Sequence, residues 1–218
     1  MSTADLKRPD HPLLIVFGCS WTVGEWLPGF ELSPYVFSKL SWPSLLSITM
    51  NIKLMNMARG GNGNRQIFYD ILDFSKKHGF RNDDIVVVCW SFAGRELLLD
   101  TSYENQCTRT WNIRESARAE ELPDNRERIK FYEVHSMNDL EIRSREYVHH
   151  TELFLQSKNV RYKMGQIERW LERNSNWQIY NADDFPLFEQ IDYASDNAHP
   201  GVESNKLFFQ KMYKELNA

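Results

Sequence analysis

Leu13-Leu14-Ile15-Val16-Phe17-Gly18-Cys19-Ser20-Trp21-Thr22-Val23-Gly24 is the stretch from which the rest of the chain can be read. Five consecutive apolar residues stand between Pro12 and Gly18, with no polar residue alternating among them. A run of that kind suits a strand buried on both faces, as in a parallel sheet covered by helices. Ser20 then falls just beyond the carboxyl end of the strand, where open α/β sheets place their sites. The residues after it can turn into a helix whose first N–H groups would face an anion.

Outward from this stretch, strands and helices alternate. Trp42–Met50 carries apolar residues at helical spacing, with Ser41 as a candidate N-cap and Pro43 in the first turn. Ile52–Asn56 is a second short strand candidate, after which Gly60, Gly61 and Gly63 interrupt the pattern. Arg65–His78 has an apolar side of Ile67, Ile71, Leu72 and Phe74 and can end at Gly79. Asp84–Trp90 (DIVVVCW) is β-branched and uncharged after its acidic start. Strand–helix–strand–helix–strand predicts βαβ units and a parallel sheet with helices on both sides.

The second half is less regular. Residues 100–145 are rich in Arg, Glu, Asn and Ser and read as a polar surface insertion, either a lid facing substrate or an ordinary surface segment. A helix is expected over Glu146–Ser157 and another over Gly201–Leu216, with strands at Val160–Met164 and Trp177–Asn181.

The 218 residues suffice for one domain with a sizeable core. A formal net charge of −4 lacks the basic surplus of a nucleic-acid binder. Cys19, Cys89 and Cys107 make an odd set with no Cys-x-x-Cys, which argues for a reducing compartment rather than a disulfide framework. No apolar window of membrane-span length occurs, and the amino-terminal MSTADLKRPDHP has no apolar stretch of signal-peptide length. The expectation is a cytoplasmic protein, or one carried in a virus particle.

Asp196-Asn197-Ala198-His199-Pro200 lies just before the last helix. A carboxylate three residues before a His can hold one ring nitrogen and leave the other free to take a proton from a hydroxyl. The same residues would also suit an Asx-turn with an exposed His. His149 and His150 are neighbours on a helix, so their rings diverge and do not read as a metal site. Cys19 reads as a small buried residue rather than a second nucleophile.

The blocks GCSWTVG (18–24), NMARGGNGN (56–64) and DNAHP (196–200) resemble, in order and context, those of the SGNH or GDSL-type serine hydrolases. Cys19 replaces the Asp of the first block. The resemblance implies a single α/β domain of the three-layer α/β/α type with a flavodoxin-like parallel sheet. It also implies ester hydrolysis without a cofactor. Ser20 would be the nucleophile, His199 the base and Asp196 its partner, with the N–H groups of Ser20 and Gly61 donating to the oxyanion. The family's third block, with its Asn donor, should follow the third strand, but Cys89-Trp90-Ser91-Phe92-Ala93-Gly94-Arg95 has none. Ser91, Arg95, Asn62 or Asn64 would have to substitute. Trp21 and Trp90, each beside a site strand, are the candidate substrate-stacking rings. By family analogy the substrate would be a small acyl group on a carbohydrate. The missing Asn and the replaced Asp equally suit a second reading, a weakly active or inactive binding or assembly module associated with a phage or a polysaccharide.

Overall fold

The computed structural model describes residues 8, 10–31, 37–98, 109–112, 135–168 and 185–218. Four strands, β1 (Leu13–Phe17), β2 (Lys53–Asn56), β3 (Ile85–Trp90) and β6 (Arg161–Gln166), form a sheet in the order β2-β1-β3-β6. Every pairing in it is parallel. Gln166 also makes a parallel bridge to Leu187, which extends the same edge by one chain segment. β1 and β3 are buried along their whole length, as their uninterrupted apolar runs require.

The pleat divides the core in two. Leu13, Ile15 and Phe17 point with Val86, Val88 and Trp90 to one face. There they meet Ile67, Ile71 and Phe74 of helix α3 (Asn64–His78) and Val148 and Leu155 of α4 (Met137–Ser157). Leu14, Val16, Val87 and Cys89 point the other way. They pack on Trp42 and Leu46 of α2 (Trp42–Met50) and on Phe208, Met212 and Leu216 of α5 (Val202–Asn217). The architecture is therefore α/β/α with helices on both faces of a parallel sheet, as expected. Asp84 anchors the sheet edge remote from Ser20. Its carboxylate accepts from the N–H of Leu13 at 3.1 Å and of Arg81 at 2.7 Å and pairs with Arg8, which ties the starts of β1 and β3 together.

Residues 95–98 (β4) and 109–112 (β5) form an antiparallel pair, and α4 begins at Met137 rather than at Glu146. Ser136 caps that helix by accepting from the N–H of Asp139 at 3.2 Å. The added turns bury Glu141, Ser144 and Arg145, so their inner face shows no apolar periodicity in the sequence. The strand expected at Trp177–Asn181 lies outside the described residues. No helix among the described residues is long and apolar enough to cross a membrane.

Candidate active site

The three sequence blocks meet at the carboxyl ends of the parallel strands. Ser20 follows β1 and opens α1 (Ser20–Val23), a single turn closed by Gly24 in the left-handed conformation. That turn is held by hydrogen bonds from the N–H groups of Thr22 and Val23 to the Cys19 carbonyl, at 2.9 and 3.0 Å. The N–H groups of Ser20 and Gly61 donate to no carbonyl among the described residues, which leaves both open. Cys19 lies wholly inside the core, as a small buried thiol should.

Gly60 and Gly61 follow β2 and serve different ends. Gly61 has φ of 77°, a conformation that favours glycine. At Gly60 a Cβ would stand 2.1 Å from Glu25 Oε1, so the missing side chain makes room for a carboxylate. The loop is pinned by the N–H of Arg59, which donates to the Gly18 carbonyl at 3.2 Å. Asn62 donates to that same carbonyl at 3.3 Å and to Asp70 Oδ2 at 3.0 Å.

The Asp196–His199 segment is built twice over. Asp196 Oδ1 accepts from the N–H groups of Ala198 and His199 at 3.1 and 3.0 Å, the Asx-turn. Its Oδ2 lies 2.6 Å from His199 Nδ1, so the same carboxylate also orients the imidazole. Burial pushes the Asp196 carboxyl upward, but these hydrogen bonds outweigh it and hold the group below the ordinary carboxylate range. An antiparallel bridge from Tyr193 to Pro200 and a 2.8 Å hydrogen bond from the Ala194 N–H to the His199 carbonyl close the loop. Asp192, at the entry to α5, accepts from the N–H groups of Glu203 and Ser204 at 3.0 and 2.7 Å.

Ser20 is buried, and its Oγ has no hydrogen-bond partner among the described residues. His199 Nε2 instead faces Glu25 Oε2 at 3.6 Å. Burial pushes the Glu25 carboxyl up, while His199 and Arg95 pull it back and Asp196 adds to the rise. Sequence reading passed over Glu25, although it stands directly after the glycine that closes the first block. A carboxylate next to that glycine, opposite a tandem glycine across the site, is the available signal.

The candidates for the missing third donor fare unequally. Asn64 is a strut. Its Oδ1 accepts from the Ser91 N–H at 2.7 Å, and its Nδ2 donates to the Ser91 carbonyl and Ser144 Oγ at 3.2 and 3.0 Å. With both amide hydrogens engaged in the scaffold, it has none for an oxyanion. Ser91 is fully buried beneath Arg95, whose Nη1 lies 3.4 Å from its Oγ. Arg95 is half-buried, lies 5.0 Å over the Phe92 ring, and is close enough to Glu25 to draw its carboxyl down.

Of the two candidate stacking rings, Trp90 belongs to the core. It is fully buried on the central strand, and its Nε1 donates to Met164 Sδ at 3.4 Å, so no substrate can lie on it. Trp21 packs edge-on against Phe92 and Phe188 at 5.6 and 5.3 Å, which spends much of its surface on neighbours. His149 and His150 stand 6.3 Å apart at 39°, and no group of metal-ligating side chains occurs among the described residues.

No protein-family model matches the sequence. No curated protein matches it either. Solved structures do resemble it. A carbohydrate esterase whose active site is described as having divergent catalytic and non-catalytic binding functions superposes with a TM-score of 0.52 at 13% identity, covering 94% of this chain and 68% of that one. The structure of TesA gives 0.52 at 9% identity over 94% and 98%. A member of the lipolytic protein G-D-S-L family from Veillonella parvula DSM 2008 gives 0.40 at 14% identity over 94% and 97%. At such identities the likeness to the first two speaks for architecture alone: the chain shares the α/β/α fold of that carbohydrate esterase and of TesA.

Proposed function

We propose that this protein is a serine esterase that removes a small acyl group from a carbohydrate-type ester. The observation that carries the reading is the 2.6 Å contact of Asp196 with His199 Nδ1, on a loop at the same sheet edge as Ser20 and the open N–H groups of Ser20 and Gly61. Ser20 Oγ attacks the ester carbonyl as its proton passes to His199 Nε2. The tetrahedral oxyanion is met by the two N–H groups. Collapse expels the alcohol, which takes the proton back from His199 and leaves an acyl-enzyme. Water, deprotonated by the same nitrogen, then releases the acid and restores Ser20. The test is labelling of the folded protein by a fluorophosphonate, which this reading expects and an unreactive Ser20 would not give.

Arg95 is the third oxyanion donor in this scheme, because Asn62 and Asn64 are committed elsewhere and Ser91 lies beneath it. Arg95→Ala is expected to lower kcat by about 10²-fold, the usual cost of one such donor. Unchanged turnover of p-nitrophenyl acetate would remove Arg95 from the chemistry.

The contact between His199 and Glu25, with Ser20 unpaired, also supports a second reading. In it the fold is kept as a binding or assembly module, associated with a phage or a polysaccharide, and the site is held in an unreactive arrangement. Absence of fluorophosphonate labelling would favour it.

A further inference from the structure

Beside the His199 loop lies an open cleft of about 300 Å³, walled by Trp26, Leu27 and Pro28 on one side and by Asp192–Ser195 on the other. Its rings are the exposed ones the site otherwise lacks: Trp26 is 48% and Tyr193 64% exposed. Neither ring has an aromatic or cationic partner among the described residues. Trp26 also has φ of 65°, a left-handed conformation that is unfavourable for a bulky residue. Core packing does not explain it, because nearly half of the residue faces solvent.

The cleft is preformed. Ser195 Oγ donates to the Trp26 carbonyl at 3.0 Å and joins the two walls. The Tyr193–Pro200 bridge and the hydrogen bonds to Asp192 hold the second wall. Both walls are continuous with the dyad: Trp26 follows Glu25, which faces His199, and Tyr193 lies three residues before Asp196.

We infer that the Trp26–Tyr193 cleft is a subsite for a neutral pyranose unit of a glycan. Aromatic faces with open rims suit a ring that is apolar on its C–H face and hydroxylated at its edge. Asp192 places a carboxylate in the second wall, which repels uronates. A fatty acyl chain would want an enclosed apolar tunnel instead. This names the substrate class of the proposed esterase and rests on that reading for its purpose, but the binding itself needs no catalysis.

The experiment uses the full chain as Ser20→Ala, titrated calorimetrically with xylohexaose, cellohexaose and hexagalacturonate. Binding of at least one neutral hexasaccharide is expected, weakened about tenfold by Trp26→Ala or Tyr193→Ala and largely restored by Trp26→Phe. No binding of either neutral sugar up to about 10 mM overturns the subsite. So does binding that Trp26→Ala leaves unchanged, or equal binding of hexagalacturonate. Fluorophosphonate labelling without sugar binding sinks the subsite and spares the esterase. Sugar binding without labelling does the reverse.

Discussion

Ser20→Ala is expected to abolish fluorophosphonate labelling and to lower ester turnover by about 10⁴–10⁶-fold, the loss seen when the nucleophile of such a triad is removed. The structure makes the result interpretable. Ser20 Oγ has no hydrogen-bond partner among the described residues, so deleting it orphans no donor or acceptor. The Cys19 carbonyl that receives the turn of α1 is untouched, and the Ser20 N–H remains in place. Stability should therefore change by no more than about 0.5 kcal/mol, as a urea midpoint would show. A folded variant that still hydrolyses p-nitrophenyl acetate at the wild-type rate would exclude Ser20 as the nucleophile. A fully labelled wild type also bears on the resting geometry. It requires His199 Nε2 to leave the neighbourhood of Glu25 and meet Ser20.

Much of this architecture was legible because the signals were local. LLIVF and DIVVVCW are strands that only a two-sided core accommodates, and both are buried to the last residue. The helices that cover them carry apolar residues at the right spacing. Legibility failed where burial was polar. Glu141, Ser144 and Arg145 face inward from α4, so the first turns of that helix looked like surface. The site divides in the same way. Asp196 and His199 are three residues apart, and their contact followed from spacing. Glu25 and His199 are distant in sequence, and their approach depends on how the turn after Gly24 meets the loop before α5. Asn64 looked available because a loop Asn is usually solvated. Its three hydrogen bonds to Ser91 and Ser144 come from the packing of α3 against β3 and α4, which no local pattern encodes. Trp90 looked like a platform from its place at a strand end, but β3 is central and its side chains have no exit to solvent.

Asp196→Asn is the sharper test of the dyad, because this substitution separates the two duties of one side chain. The amide oxygen of asparagine can take the place of Oδ1 and go on accepting from Ala198 and His199, and asparagine is at home in such a turn. The loop, its bridge and the start of α5 should therefore persist, with a urea midpoint close to wild type. The other branch changes sign. Where Oδ2 accepted from His199 Nδ1 at 2.6 Å, an N–H now points at the ring. The imidazole answers by presenting Nδ1 as an acceptor, which places its proton on Nε2. That nitrogen can no longer take the Ser20 proton, and the carboxylate that paired with Nδ1 is gone when the imidazolium forms. A fall in kcat of about 10⁴-fold is expected, the size of the tautomer effect in an established triad. Asp196 is held below the ordinary carboxylate range, so it stays charged until pH falls beneath that range. Its titration therefore cannot mimic the mutation at the pH where the base works. Loss of turnover with an intact fold assigns Asp196 to orientation of His199. Loss of the fold would assign it to the turn, and undiminished kcat would remove the dyad from the mechanism.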